Sequence, residues 1–152
     1  MDPSACRPSP CCPSPCRWTV ALPVADGRRA LAAAGERAAA THLTAVHGLT
    51  VVATNLRVAI EELRGELDVV ATDGRGHLLV VCEVKARSRS SHGGAAEALG
   101  ARQRARIRRM TAALLATGTL RGTRIRFDVV TAQVATGPGP RTATLAHRSD
   151  AW

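Results

Sequence analysis

Aromatic side chains are almost missing from this chain of 152 residues: Trp18, Phe127 and Trp152 are all it has, and there is no tyrosine. A protein that holds single-stranded nucleic acid by stacking bases needs exposed rings, so that mode has no material here. No apolar run reaches the ~18 residues needed to span a bilayer, which argues against a membrane partner. The N-terminal region lacks the apolar centre of a signal peptide, because prolines interrupt it and the stretch from Trp18 to Ala25 is short and broken. The expected compartment is therefore the cytoplasm. A Walker loop and a G-x-G-x-x-G turn are also absent, which leaves nucleotide binding unsupported.

Lysine is the scarcest charged residue. Of the 21 Lys and Arg residues only Lys85 is a lysine, and it stands two residues after Glu83. Arginine stays protonated and presents a planar fork, whereas a buried lysine can shift its pKa and act at one point. The formal net charge of +9 attracts polyanions, of which nucleic acid is the commonest in a cytoplasm.

Residues 1–26 read as a disordered Cys/Pro-rich tail, and residues 27–152 as a single domain. In the tail Cys6-Arg7-Pro8-Ser9-Pro10-Cys11 is nearly repeated as Cys12-Pro13-Ser14-Pro15-Cys16, without a hydrophobic period and without paired C-x2-C zinc spacing. From Arg28 to about His47 the pattern is helical, with Leu31, Gly35, Ala38, His42 and Val46 on one stripe and Gly48 as the stop. Leu49–Thr54 reads as a strand, and Asn55–Gly65 as a polar connection without an assigned structure. Leu67–Thr72 and His77–Lys85 are strands flanking the turn Asp73-Gly74-Arg75-Gly76. A second helix spans Glu97–Thr117, a further strand Ile125–Val134, and Thr142–His147 is a candidate edge strand. The class expected is α/β: a sandwich with a mixed sheet of four to five strands flanked by two helices, in the order α-β-β-β-α-β.

If the hairpin closes with Thr72 opposite His77, Asp68 and Glu83 become diagonal neighbours on one sheet face, about 7–8 Å apart at the backbone, and Glu66 faces Glu83. Lys85 shares that face with Glu83, because residues two apart on a strand point the same way. Two unpaired carboxylates repel unless a cation or a proton sits between them. Mg²⁺, or Mn²⁺ in its place, suits such a pair, and can polarise a phosphodiester and lower the pKa of a bound water. The competing reading of Asp68, Glu83 and Lys85 is an exposed strand face with an ordinary ion pair. The five histidines show no ligand spacing with Cys or Glu and are expected in core or surface roles. Cys82 points away from Glu83 and is expected to act as a small buried hydrophobe.

Taken in order, Gly35-Glu36-Arg37-Ala38-Ala39, Asn55-Leu56-Arg57, Gly65-Glu66-Leu67-Asp68-Val69-Val70, Asp73-Gly74, Leu79 through Arg87 with its Glu83-Val84-Lys85 centre, Glu97-Ala98-Leu99 and Arg126-Phe127-Asp128-Val129-Val130 resemble the YraN family, uncharacterised proteins regarded as endonucleases of restriction-endonuclease-like fold. The Glu-Val-Lys stretch is also similar to archaeal Holliday-junction resolvases. The resemblance, from about Ala30 to Trp152, implies that Asp68 and Glu83 are metal ligands and Lys85 the catalytic lysine, with Glu36 brought near the metal from the first helix. It implies Mg²⁺- or Mn²⁺-dependent hydrolysis of DNA, including branched or junction DNA. A protein that keeps the fold and binds nucleic acid without cleaving it is the alternative, and assembly as a homodimer is left open.

Two features depart from that family pattern. The connection from Asn55 to Glu66 is longer than usual, and Gln103 stands where a basic residue is common early in the second helix. Gln103 falls on the inward face with Ile107, Met110 and Leu114, and reaches the site, reaches a phosphate, or caps the core edge. Arg102, Arg106 and Arg109 on that helix, with Arg87 and Ser88 just after Lys85, are candidate contacts to nucleic-acid phosphates.

Overall fold

The computed structural model describes residues 16–22, 28–88, 99–134 and 141–152. Among the described residues six strands and two helices follow in the order β1 (Cys16–Leu22), α1 (Arg28–Ala45), β2 (Thr50–Ile60), β3 (Leu63–Thr72), β4 (Leu78–Ser88), α2 (Ala101–Ala116), β5 (Arg124–Val134) and β6 (Arg141–Arg148). They build one mixed sheet in the order β1-β6-β5-β4-β3-β2. Strands β4 and β5 run parallel, and the other neighbours antiparallel. A parallel pair needs a long crossover, and the segment carrying α2 supplies it.

The α/β sandwich expected from the sequence is present, with one strand beyond the four to five expected. Cys16–Leu22 lies inside the segment read as a disordered tail, yet it pairs along its length with β6 as an edge strand. The prolines on either side hid a short run whose backbone can pair. Consequently β6 is an interior strand between β1 and β5, and not an edge. The rest of the Cys/Pro-rich segment and Gly137-Pro138-Gly139-Pro140 lie outside the described residues.

Alternation along the strands divides the core between the two sheet faces. Val69, Ala71, Val80, Cys82, Val130, Ala132 and Leu145 pack under α1, with Ala38, Ala39 and Leu43. On the other face Val70, Leu79 and Val81 meet Ile107, Met110 and Leu114 of α2. Each such buried Leu or Val contributes about 1.5–3 kcal/mol. Cys82 is fully buried under α1, as expected. Phe127 stacks on Trp152 with ring centroids 5.5 Å apart, and both pack into the α2-side core. Those two rings therefore serve packing.

Alanine dominates α1 and favours helix outright. The helix ends where the Gly48 N–H donates to the Thr44 carbonyl and the Leu49 N–H to the Leu43 carbonyl, with Gly48 at φ 64°. Such a close suits glycine because it needs the left-handed region. Gly35 has a different task. A methyl group there would lie 2.8 Å from Ala86 Cβ on β4, so glycine lets α1 settle onto the central strand at the level of Glu36.

The polar connection from Asn55 to Gly65 is a β-hairpin, not a loop. Strand β2 continues to Ile60, turns at Glu61-Glu62 with Glu61 at φ 50°, and returns as β3. The longer connection is thus extra hairpin length that projects past the end of β4's pairing with β3.

Candidate functional site

The β3–β4 register differs from the expected one by two residues. Thr72 opposes Leu79 and Val69 opposes Cys82. The hairpin closes on Asp73 and Leu78, because Asp73 ties the turn twice: its Oδ1 accepts the His77 N–H at 2.8 Å and its carbonyl accepts the Gly76 N–H at 3.0 Å. A shift of two keeps every side chain on its face. Continued by one pair, the register sets Asp68 directly opposite Glu83, where a diagonal relation was expected.

Regular pairing of β3 with β4 stops at Val69↔Cys82. On its other side β3 passes from Thr54↔Val69 to Leu56↔Leu67, so pairing lapses at Asn55 and Asp68. Asn55 lies in the left-handed region at φ 51°, which asparagine tolerates better than most residues. Alternation slips at the same level: Val70 and Leu67, three apart, both bury on the α2 side. The strand therefore rolls over at Asp68. Its carboxylate turns toward β4, where Oδ2 accepts the Val84 N–H at 2.7 Å and takes over the missing ladder bond.

The break admits groups from both helices. Glu83, buried to 8 % relative exposure, accepts at Oε1 from Lys85 Nζ at 2.7 Å and from Gln103 Nε2 at 2.6 Å. Of the three roles open to Gln103, the structure selects the one at the site. From the α1 side Glu36 Oε2 accepts the Asn55 amide at 2.9 Å. Glu36 also acts electrostatically on Asp68. Burial, then the Glu83 charge, push the Asp68 carboxyl up to about 7, and the Val84 hydrogen bond offsets them in part. Glu36, Asp68, Glu83, Lys85 and Gln103 thus meet where β3 parts from β4.

Glu66 stays out of this group. It opposes Arg57 of β2, not Glu83, and the two form an exposed ion pair at 3.9 Å. Asn55 was not anticipated as a site residue. Its signal was available: an asparagine between Thr54 and Leu56 in a β-branched stretch is a residue suited to a local break.

Arg102, Arg106 and Arg109 lie on the exposed side of α2 and, with Arg64 of β3, line an open groove that Glu62 and Leu63 also border. Arg106 donates to the Arg64 carbonyl, tying α2 to the projecting hairpin. Arg108 instead covers the Phe127 ring at 5.8 Å. Arg87 is exposed near the end of β4, and Ser88 closes that strand.

On the other sheet face His42 and His147 are buried, a core role as expected, but with His47 they also form a cluster that no sequence spacing announced. His42 in the last turns of α1, His47 just after it and His147 of β6 come together, with ring nitrogens within 4.8 Å of one another. His147 Nε2 meets the Asp128 carboxylate at 3.0 Å. Burial works to raise the Asp128 pKa, but hydrogen bonds from His147 and Arg126 outweigh it and hold the carboxyl below its ordinary value.

Fold and site together define a class: an α/β sandwich with a mixed sheet that gathers an acid–acid–lysine group where two central strands part. Within that class the chain belongs to the Uncharacterised protein family UPF0102, the YraN family, whose model matches residues 35–132. A UPF0102 protein of Frankia casuarinae is 44 % identical over 110 residues, covering 72 % of this chain and 87 % of that one. One of Acidothermus cellulolyticus is 40 % identical over 116 residues, covering 70 % and 83 %. One of Mycobacterium tuberculosis is 36 % identical over 117 residues, covering 77 % and 88 %. No helix among the described residues is long and apolar enough to cross a membrane.

Proposed function

We propose that this protein is a metal-dependent endonuclease acting on DNA, with its site at Asp68, Glu83 and Lys85. The observation that carries the reading is the meeting of buried Glu83 and desolvated Asp68 beside the chain's single lysine. Two such carboxylates call for a divalent cation. The hydrogen bonds described engage Oδ2 of Asp68 and Oε1 of Glu83, and the donor set is oxygen, which fits Mg²⁺ or Mn²⁺. Asp68 and Glu83 would hold the ion, with Glu36 approaching from α1.

The ion would supply polarisation of the scissile phosphodiester and a more acidic water. Lys85 Nζ, anchored on Glu83, is positioned to orient the attacking water or to carry positive charge toward the phosphate. Gln103 holds the same Glu83 oxygen and fixes its rotamer. Asp68 is kept in place by the Val84 N–H. Along α2, Arg102, Arg106 and Arg109 with Arg64 offer a cationic groove for a phosphate backbone, and Arg87 and Ser88 at the end of β4 are further candidate contacts by their position after Lys85. Backbone recognition of this kind carries little sequence information, which fits reading of duplex or branched DNA by shape.

The test is cleavage of a panel of linear, forked and four-way DNA by wild type and Lys85→Ala, in Mg²⁺, in Mn²⁺ and in EDTA. Wild type should cut at least one substrate only with metal, and Lys85→Ala should lose about 10²–10⁴-fold of that rate. Salt-sensitive binding without cleavage by wild type would leave a nucleic-acid-binding protein that keeps the fold.

A further inference from the structure

We infer that His42, His47 and His147 form a zinc site, separate from the carboxylate site, that clamps the end of α1 to β6. His42 Nε2 lies 3.3 Å from His147 Nδ1 and 3.3 Å from His47 Nε2, and His147 Nδ1 lies 2.8 Å from His47 Nε2. Three nitrogens bound tetrahedrally at a zinc–nitrogen distance of about 2.05 Å stand about 3.3 Å apart. Two of the three separations already have that value. The third needs a shift of the ring of His47, which is only half-buried and sits in the turn after α1.

The protons fit as well. His147 Nε2 faces a carboxylate, which can only accept, so that nitrogen carries the hydrogen and Nδ1 offers its lone pair to the cluster. A carboxylate behind a ligating imidazole is the usual way a protein orients such a ligand. Asp128 is itself fixed, by Arg126 Nε at 2.8 Å and Nη2 at 2.7 Å and by the Asp150 N–H at 3.0 Å. Burial first, then repulsion from His147, lower His42 and His47 to about 4, so both rings are neutral at pH 7 as ligands must be.

Three imidazoles suit zinc, whereas Mg²⁺ prefers the oxygen donors at Asp68 and Glu83. The rings come from α1, the turn that follows it and the last strand, 105 residues apart in sequence at the extreme. An ion there would cross-link the two ends of the domain.

The test uses the full chain with Cys6, Cys11, Cys12 and Cys16 changed to Ser, so that neither a tail thiol nor Cys16, which pairs with His147 from β1, competes. Stripped with EDTA, the protein is titrated with Co²⁺ and then Zn²⁺. One equivalent of Co²⁺ should bind with the visible bands of a tetrahedral site and without thiolate charge transfer, distinct from any octahedral Co²⁺ at Asp68 and Glu83, and Zn²⁺ should displace it. Zinc at a hundredfold excess over its Kd should raise Tm by about 5–10 °C. His47→Gln, at a half-exposed turn position that folding should tolerate, should abolish binding and the Tm gain, and Glu83→Gln should change neither. Failure of the folded parent protein to bind one equivalent, or an unchanged cobalt spectrum in His47→Gln, would overturn the site. None of these readouts depends on DNA cleavage.

Discussion

Two clusters of ionisable side chains lie apart on the sheet, one where β3 parts from β4 and one on β5 and β6, and they solve the burial of charge in opposite ways. Around Asp128 the carboxylate is matched twice, by Arg126 and by His147. Around Asp68 the neighbours are other acids, Glu83 and Glu36, and Lys85 is the cation that answers them. One carboxyl is held below its ordinary value and the other is pushed up to about 7. A balanced cluster stabilises the fold as it stands, and an unbalanced one calls for a cation or a proton between its carboxylates. Such imbalance is where function is to be sought.

The largest expected effect that would break this contrast is on catalysis. Asp68→Asn and Glu83→Gln should each lower metal-dependent cleavage by at least about 10²-fold while leaving DNA binding equal or stronger, since each removes a negative charge facing phosphate. DNA affinity that falls in step with cleavage would place these residues in a merely structural role.

A smaller effect belongs to the groove. Changing Arg102, Arg106 and Arg109 together to Ala should weaken binding similarly for unrelated DNA sequences. It should also flatten the plot of log affinity against log salt, by about 1 for each phosphate no longer neutralised. An unchanged slope would make that side of α2 a solvated face and nothing more.

The smallest effect is on stability, and here the two clusters should act with opposite sign. Asp68 rises from 3.8 to about 7 on folding, so in metal-free protein its contribution is full below 3.8 and is lost as pH climbs through 7. His42 and His47 fall from 6.5 to about 4, so theirs is full above 6.5 and is lost as pH drops through 4. Thermal melts in EDTA across that window should show Asp68→Asn gaining on wild type as pH rises. His47→Gln should gain on wild type as pH falls. Parallel curves for all three proteins would mean that neither cluster is perturbed as described.

The same contrast marks what the sequence could disclose. Glu83 and Lys85 were legible because strand periodicity is local, and Asp68 because the Asp73-Gly74 turn ties its strand to theirs. The register came out two residues off because the Asp73 side chain moves the close of the hairpin to Asp73 and Leu78, a detail of turn chemistry that changes no face. Gly35 was legible as an inward position, though not as the point where α1 touches Ala86. The break at Asn55 was signalled only by its residue type, and the turn at Glu61 was hidden. Both use left-handed backbone, and at glutamate nothing in the residue type announces it. The histidine cluster was hidden for a different reason: His42 and His147 meet only through the packing of α1 on the sheet, and no local spacing encodes that. The edge strand at Cys16–Leu22 was obscured by the prolines around it.

The central claim is that Lys85 does chemistry beside a metal held by Asp68 and Glu83, and Lys85→Arg tests it most directly. The variant keeps the positive charge and should bind DNA as wild type does. Arginine cannot give up a proton near neutral pH, and its wider head would crowd the ion's water shell. Side-by-side cleavage and binding in Mg²⁺ and Mn²⁺ should therefore show intact binding with most cleavage lost. Full cleavage by Lys85→Arg would contradict the account and reduce Lys85 to a simple cation.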